Sequence, residues 1–99
     1  MPDQELEDFL ILREMDEPMP PEAMEEAGEQ SGQVVEELRD EGVGIQWVKS
    51  EVMMDEDDNI TGTMCHYQAE DEDAIREHAD RAGLPVTRID RRGPPVDGE

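Results

Sequence analysis

Cys65, His66, Tyr67 and His78 are the residues of this chain best suited to chemistry near neutral pH, and they fall in one stretch, Thr-Met-Cys-His-Tyr-Gln-Ala-Glu-Asp-Glu-Asp-Ala-Ile-Arg-Glu-His. A thiol and two imidazoles supply soft or borderline metal ligands, and imidazole also titrates near neutrality. They are the chain's only cysteine, its only tyrosine and both of its histidines; elsewhere the side chains offer mainly carboxylates, amides, hydroxyls and thioethers. A transition-metal or acid/base site therefore has to draw on Cys65, His66 and His78. Neighbouring side chains on a strand point to opposite faces, so Cys65 and Tyr67 share one face and Met64 and His66 the other. Cys65 and His66 then do not chelate one ion together. Taking Ile60 and Met64 as the helix-covered face places His66 beside the second helix and turns Cys65 and Tyr67 toward a subunit interface.

The same residues also have plain packing roles. Unpaired cysteine is among the most buried residue types, His78 lies in an apolar helical stripe, and Tyr67, Trp47 and the methionines suit a core. Carboxylate runs are hydrated surface, with weak Mg²⁺ binding following from charge alone. The chain has no Cys-x-x-Cys, no His-x-x-x-His, no glycine-rich phosphate loop and no nucleophile elbow, so nothing positive argues for an enzyme.

The elements that must position these residues follow from periodicity. Phe9-Leu10-Ile11-Leu12 is an unbroken apolar run that suits a strand covered on both faces, over about residues 7 to 14. Pro18, Pro20 and Pro21 break the chain and open a helix with Met24, Ala27, Ser31, Val34, Val35 and Leu38 at helical spacing, ending at Gly42. Val43, Ile45 and Trp47 alternate, and Val48, Val52 and Met54 then change parity, which predicts a second strand with a bulge. Asp55 to Asn59 is a turn and Ile60 to Tyr67 a third strand. Asp71, Glu72 and Asp73 suit a helix start; Ala74, Ile75, His78, Ala79 and Ala82 form its apolar stripe, and Gly83 stops it. Pro85 to Ile89 is a short last strand. The order predicts an α+β fold, a ferredoxin-like βαββαβ sandwich with a four-stranded antiparallel sheet and both helices on one face. Strands one and three are central, and the face away from the helices needs cover, for which a second copy, giving a homodimer, is the simplest choice. The domain spans residues 5 to 91, and 92 to 99 form a flexible C-terminal tail.

The chain has 99 residues, enough for one core. Its 29 acidic and 8 basic residues give a formal net charge of −21, which repels nucleic acid and anionic lipid and argues against either partner. At about 1 M salt the Debye length is about 3 Å and the self-repulsion is screened, so the charge reads as that of a halophile's acidic protein. No apolar run is long enough for a membrane span and no basic start leads into one, which points to the cytoplasm. A single cysteine forms no internal disulfide.

Three segments, Val43-Gly44-Ile45-Gln46-Trp47-Val48-Lys49-Ser50-Glu51-Val52, Thr63-Met64-Cys65-His66-Tyr67-Gln68-Ala69 and Asp73 to Pro85, resemble a family of small nickel-binding proteins long known as a domain of unknown function. The tryptophan, Cys-x-Tyr and Ala-x-x-Gly-Leu-Pro elements stand in the family's order, and the likeness covers most of residues 5 to 90. The resemblance implies a ferredoxin-like dimer that binds Ni²⁺, with no established reaction. Family members often carry histidine between the valine and serine of strand two, where this chain has Lys49, a cation at neutral pH rather than a ligand. The first functional reading is thus binding or sequestration of nickel or a similar divalent transition metal through Cys65, His66 and His78, helped by carboxylates. The alternatives are a small-molecule binder or enzyme with His66 or His78 as acid/base, and an interaction module with no site.

Overall fold

The structure, a computed structural model, describes residues 5–98. Its elements are β1 (Glu7–Met19), α1 (Pro21–Asp40), β2 (Ile45–Met54), β3 (Ile60–Ala69), α2 (Glu72–Ala82) and β4 (Arg88–Arg91). The four strands form one sheet in the order β2-β3-β1-β4, with every neighbouring pair antiparallel. This is the ferredoxin-like α+β arrangement, with β1 and β3 central. The core lies between the helices and one sheet face: Phe9 and Ile11 of β1, Val34, Val35 and Leu38 of α1, Ile45 of β2, Cys65, Tyr67 and Ala69 of β3, and Ala74 and Ile75 of α2.

Local chemistry accounts for the ends. Pro21 occupies the first turn of α1, where its missing N–H has no intrahelical partner to lose. Asp71 caps α2, its carboxylate accepting from Ala74 N at 2.9 Å, and Gly83 closes it in the left-handed conformation at φ 68°. Asp55 organises the β2–β3 turn, its Oδ1 accepting from the backbone N–H groups of Asp57 and Asn59.

Several boundaries differ from the sequence expectation, among them the end of β3, which runs to Ala69 rather than Tyr67. β1 continues through Pro18 to Met19, since proline's fixed φ suits extended backbone and the ladder is irregular between Glu14 and Met19, where a missing N–H costs little. β4 covers Arg88–Arg91 rather than 85 to 89, because it is set by pairing with β1: Ile89 lies opposite Ile11 and Arg91 opposite Phe9. Residues 93–98 are exposed and carry no regular structure; Glu99, the last of the expected tail, lies outside the described residues.

The expected bulge is present. Register shifts between Trp47 and Lys49, so Trp47 stands opposite Tyr67 and Ser50 opposite Cys65, and both fall on the helix side. A second irregularity lies between Met53 and Met54, opposite Ile60 and Gly62. Only glycine fits at 62: a Cβ there would stand 2.7 Å from the Arg13 carbonyl oxygen and 2.8 Å from Met53 Cε.

Candidate functional site

The sheet presents two chemically different faces. On the helix side, β3 contributes Thr63, Cys65, Tyr67 and Ala69, all buried; on the other side it contributes the half-buried Met64, His66 and Gln68. This reverses the expected faces. Ile60 is indeed buried, but the irregularity around Gly62 changes the parity of the strand, so Ile60 does not predict the side taken by Met64 and His66. Cys65 and Tyr67 pack under the helices instead of toward a subunit interface, and His66 looks away from α2.

Under the helices a polar chain crosses the core. Ser31 of α1 bonds the Tyr67 hydroxyl at 2.8 Å, and His78 Nε2 of α2 lies 3.1 Å from both Ser31 Oγ and Ser31 O. A carbonyl only accepts, so Nε2 carries the proton and Nδ1 is a bare acceptor; it is buried with no partner among the described residues. Burial lowers the His78 pKa from 6.5 to about 4, the Ser31 carbonyl opposing and the nearby Arg13 charge adding to the fall. Burial likewise raises the Tyr67 phenol above its usual range, against the Ser31 hydrogen bond. Trp47 Nε1 donates to Ser50 Oγ at 2.9 Å, and Ser50 donates to Cys65 Sγ at 3.0 Å. The Trp47 and Tyr67 rings stack at 6.2 Å.

Beside this chain a pocket of about 190 Å³ opens between α1 and the sheet, lined by apolar groups that include Met15, Met24, Trp47, Val52 and Leu84. Arg13 lines it too, only 1% exposed, with its guanidinium carbon 5.8 Å from the Tyr67 ring centre.

On the open face His66 Nε2 lies 2.7 Å from Asp8 Oδ1, and Gln68 Nε2 donates to the same oxygen at 3.1 Å. These bonds, the His66 contact first, lower the Asp8 pKa below the ordinary carboxylate value. Lys49 stands directly across from His66 on the neighbouring strand, and its ammonium pairs with Glu51 at 3.2 Å in an exposed contact.

Of the three candidate ligands, the structure places Cys65 and His78 on the helix side and His66 alone on the open face. Among the described residues no three His, Cys, Asp or Glu side chains come together as a metal would need. Two side chains that bear on the candidate site escaped the sequence reading, and alternation could have found both. Arg13 has the parity of Phe9 and Ile11, and Asp8 that of Leu10 and Leu12.

The family model of the nickel-responsive SCO4226-like proteins matches residues 9–91. The chain belongs to this family. The crystal structure of SCO4226 from Streptomyces coelicolor A3(2) has a similar fold, with a TM-score of 0.70 at 10% identity, covering 90% of this chain and 99% of that chain. At that identity the likeness speaks for the shared fold alone. A comparison with the curated proteins finds no match. No helix among the described residues is long and apolar enough to cross a membrane.

Proposed function

We propose that this member of the SCO4226-like family binds Ni²⁺, or a similar late first-row divalent ion, on the open face of its sheet, with His66 as the central ligand. The observation that carries the reading is the setting of His66. A carboxylate on Nε2 fixes the ring and leaves the Nδ1 lone pair for a metal, the carboxylate–histidine arrangement common behind metal ligands. Lys49, at the position where the resembling family often has histidine, sits across from His66 on the same face, so this patch has one potential ligand fewer than in such members.

His66 and Asp8 are too few for a protein cage, so water or a second copy completes the coordination. A second copy is the natural source. Leu10, Leu12 and Met64 lie half-buried on this face, and their cover by a partner sheet would make a homodimer and bring two His66 patches together. Cys65 and His78 hold the core in this reading rather than the ion. The net charge of −21 supports a salt-rich cytoplasm as the setting, where screening relieves self-repulsion. Binding or sequestration, rather than catalysis, fits a family described only as nickel-responsive.

The test is equilibrium dialysis of reduced protein against Ni²⁺ in molar KCl with excess Mg²⁺ to saturate surface carboxylates. Stoichiometric nickel that is lost in His66→Ala and kept in Cys65→Ala is the expected result. No nickel above background, or full retention in His66→Ala, overturns the reading.

A further inference from the structure

Arg13 is the largest fully buried side chain, and no carboxylate among the described residues neutralises it. Its Nη1 donates to the Pro85 carbonyl at 3.0 Å, while Nε and Nη2 are buried with no hydrogen-bond partner among the described residues. Nε and Nη2 lie on one edge of the guanidinium, the edge that grips a carboxylate with two parallel N–H bonds. The Tyr67 ring gives the cation partial compensation through its face, but no carboxylate of the described residues pairs with it. A buried charge left without a counter-ion is costly, and 29 acidic side chains elsewhere in the chain were available to supply one. Instead Arg13 stands among the residues that line the pocket between α1 and the sheet.

The walls of that pocket say what accompanies the negative charge. Met15, Met24, Trp47, Val52 and Leu84 offer thioether, indole and aliphatic surface, with Trp47 37% and Val52 47% exposed at its rim. A volume of about 190 Å³ is close to the engineered cavities of about 150 Å³ that hold benzene. A hydrated inorganic anion would leave this surface unfilled, and an uncharged hydrocarbon would leave the guanidinium unpaired.

We propose that the pocket beneath α1 binds a small organic monoanion, a carboxylate on a compact aromatic or branched apolar body, with the buried Arg13 as its counter-ion. The body lies among Met24, Trp47, Val52 and Leu84. The site is independent of the nickel patch, which occupies the opposite face of the sheet.

Trp47 is the chain's only tryptophan and lines the pocket, so its fluorescence reports occupancy. Wild-type protein is titrated at fixed KCl with benzoate, with benzamide as the uncharged isostere, and with inorganic phosphate as the anion lacking an apolar body. Benzoate is expected to give a saturable change, with benzamide weaker by about tenfold to a hundredfold, as for a lost hydrogen bond to a charged group. Phosphate is expected to give none. Equal binding of benzamide, saturable binding of phosphate, or no saturable response to benzoate overturns the proposal. These comparisons need no variant. Arg13→Met adds a second test: it is expected to keep the fold by circular dichroism while losing the benzoate response, and an unchanged benzoate affinity in a folded variant also overturns the proposal.

Discussion

The two faces of this sheet show what burial does to the same kinds of residue. His78 and His66 are both histidines, yet His78 is fully enclosed between α2, Ser31 and Tyr67 and is held neutral, its pKa lowered to about 4. His66 keeps partial contact with solvent and sits against an ionised carboxylate. Burial disfavours the charged imidazole in the first case; in the second, a ring nitrogen is spoken for and the other is left for a ligand. The helix-covered face therefore uses its polar groups to fix the packing, and the open face leaves its polar groups available. Arg13 is the exception on the covered face.

The strongest way to break this comparison is to cut side chains on either face of one strand. Ile11 is completely buried beneath the helices, so Ile11→Ala is expected to cost about 2–5 kcal/mol in denaturant unfolding. Leu12, the next residue, points to the open face and is half-buried. Leu12→Ala is expected to cost about 1 kcal/mol or less in dilute protein. If a second copy covers the open face, that smaller cost grows as protein concentration rises through the dimerisation range.

Acid titration contrasts the faces next. The fold holds His78 neutral, with a pKa of about 4 against an ordinary 6.5, so the unfolded chain takes up that proton first as pH falls. The contribution of His78 is complete above pH 6.5, declines between 6.5 and about 4, and is gone below. The loss is on the order of 3 kcal/mol. Subtracting the pH profile of His78→Gln from that of the wild type isolates this slope from the titration of the many surface carboxylates; a flat difference over the window contradicts the assignment. Asp8 works in the opposite setting. Its pKa is lowered, so its stabilisation is present above the ordinary carboxylate range and is lost only as pH falls through the lowered value.

Ser31→Ala removes the hydroxyl that partners Tyr67 and is expected to cost about 1–3 kcal/mol, read by thermal melting. The loss should be smaller in the Tyr67→Phe background, where no phenol is left unsatisfied. A gain in binding sharpens the open face. Lys49→His places an imidazole across from His66 and should raise nickel affinity by about tenfold, equivalent to about 1.4 kcal/mol, in competition dialysis. An unchanged affinity would move the metal away from this strand pair.

Much of the fold was legible because local signals agreed with one another. Asp71 with its acidic neighbours, Gly83, the prolines before α1 and the acidic turn at 55 to 59 each mark an element boundary through backbone chemistry that acts within a few residues. The parity change in β2 likewise announced its bulge. The site was legible only in part. Cys65, His66, Tyr67 and His78 were recognisable as chemistry-bearing, and the division of the β3 residues between two faces followed from strand periodicity, but the partners Arg13, Asp8 and Ser50 came from contacts across the sheet.

The sequence by itself determined the element order, and with it the ferredoxin-like topology, the single core and the acidic surface, because hydrophobic period, caps and charge are properties of neighbouring residues. Only the tertiary structure decided which face of β3 went inside. Alternation sorts a strand into two sets without saying which is buried. Here the irregularity around Gly62, whose close approach to Arg13 and Met53 leaves no room for a side chain, turned Ile60 and Cys65 to the same covered side although their numbers differ in parity. That choice put Cys65 in the core, His66 in the open and an unpaired guanidinium beside an apolar pocket, because burial depends on what packs against a strand and not on the strand alone.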